Sequence, residues 1–177
     1  MNNLRSNQRG TFAIEFALLG VAFSTMLLLA ADTVVKLSIQ GKLDRLSYSL
    51  VNVVKERTQL YGKDDHTLTT DLALELHNFA HHSLTRTLDT YQPELFGSQI
   101  EVLVFDGTGN PIADEPFTHG HECSNPQVIS DYEHLSMVTS WGRKAVLYRV
   151  SLCYDVQNWV FNNDWVQLSS ASIMMGR

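Results

Sequence analysis

The 177-residue chain is short of basic residues, cysteine and proline. Lys and Arg number 13 against 19 Asp and Glu, the formal net charge is −6, and the basic residues form no block. Binding to nucleic acid through its phosphates is therefore not expected, since it needs clustered Lys and Arg. The first of the four prolines is Pro93, so no proline interrupts a long N-terminal helix.

Motifs that would indicate catalysis or a cofactor are also absent from the sequence. It has no recognisable Ser-His-Asp or Cys-His arrangement and no paired carboxylates in a familiar frame. The glycines of residues 106–111, DGTGNP, do not follow a phosphate-loop pattern and indicate a turn. We therefore expect a protein that is not an enzyme, with no cofactor and no small-molecule substrate. A membrane-tethered hydrolase that uses histidine is the alternative in the enzyme class.

The histidines form two nominal clusters that could bind a metal. His77 and His81 lie four residues apart on a predicted helix, and His119, His121 and Cys123 alternate along the chain. Structural zinc takes four ligands, which neither cluster offers at a convincing spacing. We expect no metal site and interpret the clusters as a solvated helix face and a polar loop.

The longest apolar run, residues 11–31, contains Glu15 as its one charged residue. About 20 apolar residues span a bilayer as a helix, so this segment predicts a transmembrane helix. Arg5 and Arg9 precede it and Asp32 follows it, so the positive-inside rule places the N-terminus in the cytoplasm. A secretory signal is disfavoured, because the run is too long and its best cleavage site has leucine where a small residue is required.

Glu15 is unexpected, because a carboxylate in hydrocarbon costs on the order of 2.5–3.5 kcal/mol near the bilayer centre. It lies in residues 9–16, RGTFAIEF, where Gly10 precedes it and Phe16 follows it. This segment resembles the processing site of type IV prepilins, and in particular that of the TadE/TadF pseudopilins of the tight-adherence (Tad/Flp, type IVb) system. The resemblance implies that a prepilin peptidase cuts between Gly10 and Thr11, which makes Glu15 the fifth residue of the mature chain.

The residue types around the cut suit such a role. Glycine leaves the scissile bond accessible to a peptidase. The new ammonium of Thr11 lies four residues from Glu15 on one helix face, and pairing the two charges within or between subunits offsets their desolvation. We expect this pair, beside Phe16, to fix the register of neighbouring subunits. Small residues suited to close helix packing recur at Ala13, Ala17, Gly20 and Ser24, although ordinary membrane composition explains this row equally well.

The predicted helix continues through residues 32–62 as an amphipathic segment. Apolar residues recur with helical period, and Tyr61-Gly62 is a plausible end. A coiled coil is the alternative, but the stripe lasts only about three heptads. The stripe consists of Val35, Ile39, Leu43, Leu46, Leu50 and Val53.

Residues 63–177 are predicted to form an α+β domain with a second helix and a small antiparallel sheet. Asp64, Asp65 and Thr67 are candidate N-caps of the helix, which should end between Leu88 and Pro93. Its apolar stripe consists of Leu68, Leu72, Leu76, Phe79, Ala80 and Leu84. Alternation predicts strands at residues 100–105, 145–156 and 165–175, with turns at 106–111 and 158–165 and loop at 112–143.

Two residue types in this domain have alternative interpretations. Trp141, Trp159 and Trp165 are expected to fill its core, and a binding surface is the alternative. Cys123 and Cys153 are expected to form a disulfide if the domain faces an oxidising compartment; two unpaired thiols, one of them buried, are the alternative. Closing this loop would contribute roughly 3.5 kcal/mol on the chain-entropy estimate.

The sequence thus predicts a pilin-like α+β protein with a leader at 1–10, a transmembrane helix at 11–31, its continuation at 32–62 and a periplasmic domain at 63–177. The resemblance implies a minor pseudopilin of the bacterial inner membrane that supports assembly of an adhesive pilus; the chain length and the cysteine pair favour the TadF branch. Its expected partners are the prepilin peptidase, other pilins, the assembly platform and membrane lipid. The alternative is an uncleaved, single-pass periplasmic binding domain.

Overall fold

The computed structural model describes residues 4–61, 68–124, 127–140, 142–159 and 164–176. It confirms an α+β fold with a long N-terminal helix, a second helix and a small antiparallel sheet. The helices are α1 (Leu4–Tyr61) and α2 (Thr70–Thr87), with single 3₁₀ segments at Pro93–Leu95 and Ile129–Leu135. The strands are β1 (Phe96–Phe105), β2 (Pro111–Ala113), β3 (Phe117–Gly120), β4 (Leu147–Gln157) and β5 (Trp165–Met175).

The sheet has the order β2-β1-β4-β5, and β3 shares with β2 the outer edge of β1. All pairings are antiparallel, and the β4–β5 ladder runs from Leu147 opposite Met175 to Gln157 opposite Trp165. The predicted strand at 165–175 is confirmed to the residue. The loop expected over 112–143 is wrong in part, because β2, β3 and the second 3₁₀ segment lie within it. These elements are short and largely exposed, so they leave no periodic pattern.

The second half of α1 packs against one face of the sheet, the face to which Tyr148, Val150 and Leu152 of β4 belong. Ile39, Leu43, Leu46 and Leu50 of the predicted stripe are buried. Val35 and Val53 are not, since 41% and 56% of their surfaces are exposed. Past Leu50 the buried positions are instead Val51 and Val54. Because 3.6 residues per turn does not match a strict 3-4 repeat, the core face drifts around the helix.

The second helix begins later than its candidate caps predict. Thr69 is its N-cap, and the Thr69 Oγ1 accepts a hydrogen bond from the Leu72 amide at 3.4 Å. Asp64, Asp65 and Thr67 lie outside the described residues. The predicted place of Phe79 in the apolar stripe is wrong, since the side chain is 58% exposed. The buried face is formed by Ala73, Leu76, Ala80 and Leu84. Phe79 immediately precedes Ala80, so it lies about 100° around the helix from that position.

The expectation that tryptophan fills the core is wrong for the two tryptophans that the structure describes. Trp159 and Trp165 are 67% and 53% exposed, while Trp141 lies outside the described residues. The large buried side chains are aliphatic apart from Phe96, with Tyr148 and Tyr154 also buried. The two described tryptophans are therefore presented to the surroundings of the domain.

Candidate membrane-anchoring and assembly site

The first half of α1 projects from the domain with its apolar side chains exposed. It is near the N-terminus, is long and apolar enough to cross a membrane, and has no part of its most apolar stretch buried. The hydroxyls of Ser24 and Thr25 both donate to the Val21 carbonyl, at 2.9 and 2.8 Å. These two side chains can therefore enter hydrocarbon with their donors paired.

Glu15 lies on this exposed part of the helix. Phe16 next to it stacks on Phe12, with ring centroids 6.4 Å apart, as residues four apart on a helix can do. Thr11, also four residues before Glu15, is within the same continuous helix. The backbone thus places the residue that would carry the new ammonium on the face that holds the Glu15 carboxylate.

The described helix runs from Leu4, so Gly10 and Thr11 both lie within it. No proline interrupts these residues, and one glycine costs a helix only about 1 kcal/mol. The small residues Ala13, Ala17, Gly20 and Ser24 follow on one narrow face, and all four are exposed. A Cβ added at Gly20 would meet no atom within 4 Å. This face is therefore open to another helix.

The β4–β5 loop joins α1 where its apolar run ends. Lys36 Nζ lies 2.5 Å from Asp32 Oδ2 and also donates to Asn158 Oδ1. The Trp159 amide is 3.4 Å from Asp32 Oδ1. One end of the sheet is thus held against the first charged residues of α1 after the apolar run.

A disulfide between Cys123 and Cys153 connects the segment after β3 to β4, as predicted. Near the bridge, a second contact joins the segment after β3 to β4: His121 Nε2 lies 3.0 Å from Asp155 Oδ2. Gly97 permits the close approach: a Cβ there would lie 1.9 Å from the His121 carbonyl oxygen and 2.8 Å from Cys153 Sγ. The bridge lies on the sheet face that the helices do not cover.

The histidines take part in the packing of α2. His77 Nδ1 is 2.8 Å from Ser98 Oγ, and His81 Nδ1 is 2.9 Å from the Tyr91 hydroxyl. Burial, followed by the neighbouring His119 and His81, lowers the pKa of His77. Among the described residues there is no group of three or more His, Cys, Asp and Glu side chains that could hold a metal.

Sequence reasoning missed a buried ion pair on the other face of the sheet. Arg149 Nη1 lies 2.9 Å from Glu101 Oε2, and each residue is only 2% exposed. Glu101 Oε1 accepts from the Ile129 amide at 3.1 Å, and the Arg149 guanidinium lies over the Tyr132 ring. The pair thus holds the 3₁₀ segment Ile129–Leu135 on the sheet. The opposite charges of Glu101 and Arg149 are visible in the sequence, but the pairing of their two strands is not.

A long helix with an exposed apolar first half and a second half packed on an antiparallel sheet is the architecture expected of a pilin-like, membrane-anchored protein. The TadF family model, "Putative tight adherence pilin protein F", matches residues 3–177. The chain therefore belongs to the TadF family of tight-adherence pilins, which confirms the resemblance. No curated protein and no solved structure matches it.

Proposed function

We propose that the chain is a minor pseudopilin that supports assembly of the tight-adherence pilus and has no enzymatic activity. A prepilin peptidase removes residues 1–10, and the mature chain stays in the inner membrane with its sheet domain in the periplasm. Its partners are other pilins and the assembly platform. The observation that carries the proposal is the exposed apolar half of α1 with Glu15 within it, in a chain that matches the TadF family over residues 3–177.

Charge pairing explains why this segment favours association with other subunits. The Glu15 carboxylate and the Thr11 ammonium formed by cleavage would both be desolvated in a helix bundle, where each is best stabilised by the other. Pairing between neighbours would fix their axial offset. The open face at Ala13, Ala17, Gly20 and Ser24 would allow the backbones to approach closely.

Cleavage requires more of Gly10 than small size. The bond after Gly10 lies within α1, whereas a peptidase binds its scissile bond in extended form. The helix must therefore unwind locally, and glycine is the residue that loses least by leaving a helix, apart from proline.

The test of processing is mass spectrometry of the membrane fraction from cells that contain the Tad machinery. Wild type should lose about 1.2 kDa, the mass of ten ordinary residues, and begin at Thr11. Gly10→Leu should keep the leader, while Gly20→Leu serves as a matched control in the same helix and should be cleaved. A Met1 terminus in the wild type as well would leave an uncleaved membrane anchor, and the pseudopilin proposal would be wrong.

A further inference from the structure

Two exposed tryptophans, Trp159 after β4 and Trp165 at the start of β5, lie at the end of the sheet nearest the apolar run. Trp159 is 67% and Trp165 is 53% exposed. Exposed tryptophans are costly in water unless another phase or partner covers them. In membrane proteins, tryptophan is enriched at the headgroup level, where the ring is half in the apolar phase and its N–H remains hydrated.

Several contacts fix the positions of residues 158–159 and of β5 along α1. Asn158 and Trp159 are held by Lys36 and Asp32, the first charged residues after the apolar run. Farther along, Ser47 Oγ lies 3.0 Å from Ser170 Oγ. Lys55 Nζ lies 3.7 Å from Met174 Sδ. From Lys36 to Lys55 the helix rises about 29 Å at 1.5 Å per residue, so β5 leads from the loop directly away from the apolar segment.

The surface of α1 beside Trp159 and Trp165 has both apolar and charged residues, as expected at the boundary between lipid and water. Val35, 41% exposed and next to Lys36, lines the same surface hollow as Trp159 and Trp165. Asp32 and Lys36 line that hollow as well, and their charges pair with each other at 2.5 Å. The apolar surface of α1 therefore reaches the two tryptophans at Val35.

We infer that Trp159 and Trp165 insert into the headgroup region of the bilayer that α1 spans, so that the domain contacts the membrane at two points. The second contact limits tilting of the domain about the helix. This inference rests on the proposed membrane insertion of α1.

The test uses the full-length protein in vesicles of phosphatidylethanolamine and phosphatidylglycerol. Single-tryptophan variants keep either Trp159 or Trp165, with the other tryptophans changed to Phe. Brominated phosphatidylcholine is added with bromine either near the headgroup or near the end of the acyl chain. Emission of both variants should be blue-shifted and quenched more by the shallow bromine than by the deep one.

Two further variants supply controls in a background without the native tryptophans. Phe23→Trp lies in the apolar run and reports insertion of α1, so the deep bromine should quench it most. Met137→Trp is at a 64% exposed residue whose carbonyl accepts from the Ala145 amide just before β4, at the opposite end of that strand from Trp159, and it should be quenched by neither lipid.

The control variants distinguish failure of the inference from failure of the proposed anchoring. If Phe23→Trp is quenched but Trp159 and Trp165 are not, the inference is wrong while membrane insertion stands. If Phe23→Trp is not quenched either, the anchoring itself is wrong. Protection of Trp159 and Trp165 from aqueous iodide without lipid quenching would assign their surface to a protein partner and overturn the inference.

Discussion

The two halves of α1 form one continuous helix, but the second half packs on the domain and the first half does not. The half that follows Asp32 buries Ile39, Leu43, Leu46 and Leu50 against the domain, whereas the apolar residues before it are exposed. The second half is therefore stabilised by the chain itself, and the first half needs lipid or other subunits. Substitutions in the two halves should accordingly change different properties of the protein.

The largest expected effect is loss of assembly from a change in the first half. Glu15→Ala should still be cleaved but should no longer co-purify with other pilins, because the Thr11 ammonium would enter the bundle without a counter-charge at a cost of several kcal/mol. Glu15→Asp should be intermediate. Co-purification and a count of surface pili measure the effect. Normal assembly by processed Glu15→Ala would reduce Glu15 to an interfacial residue.

A matched pair of leucine substitutions tests the comparison most directly. Leu43→Ala should reduce the unfolding free energy of the domain by about 2–5 kcal/mol, because Leu43 is fully buried. Leu19→Ala in the first half should leave it unchanged, because Leu19 is 62% exposed. Thermal unfolding of the full chain in detergent measures both. Equal destabilisation would show that the first half also packs on the domain.

Removal of the disulfide should destabilise the domain without affecting the membrane segment. Cys153→Ser should reduce stability by roughly 3.5 kcal/mol, since the closed loop no longer restricts the unfolded chain. Reduction should lower the Tm of the wild type and leave that of Cys153→Ser unchanged. Two thiols that label freely in native periplasmic protein would contradict a bridge in the cell.

The smallest effect expected is a pH dependence confined to the domain. Because the pKa of His77 is lowered from 6.5 on folding, the unfolded chain binds a proton more readily. The stability contribution is therefore complete above pH 6.5 and is lost as the pH falls through the folded pKa. His77→Gln can still contact Ser98 and should flatten the curve of Tm against pH below neutrality. An unchanged slope would assign the dependence to other groups.

Periodicity predicted the elements that bury one face continuously, and it failed where tertiary contacts decide. The end of α1 at Tyr61 was accessible because its apolar stripe is long and Tyr61-Gly62 follows it. The strand at 165–175 was accessible from a weaker alternation, although Ser170 is its only buried residue. Phe79 was assigned to the wrong face because apolar character alone does not distinguish adjacent helix positions. The Glu101–Arg149 pair was not accessible, because both residues occupy a face that is buried only when Ile129–Leu135 covers it.

For the proposed processing and assembly site, the sequence supplied the candidate residues as a prediction but not their surroundings. The spacing of Gly10, Thr11 and Glu15 was visible in eight letters. The contact of the β4–β5 loop with Asp32 and Lys36 was not, because it joins residues more than a hundred positions apart. The tryptophans were therefore assigned to a core, which is their usual place in a small domain.

Three serines lie between α1 and the sheet and fix how α1 is rotated about its own axis. They are Ser47, Ser170 and Ser172. Ser47 Oγ lies 3.0 Å from Ser170 Oγ and 2.9 Å from Ser172 Oγ, so rotation of the helix against the sheet would break both contacts. At 100° per residue, Ser47 lies roughly 140° around the axis from Ser24. The small-residue row thus faces away from the sheet. Because α1 is one continuous helix, the angle at which its first half meets a neighbouring helix also sets the direction in which the domain faces.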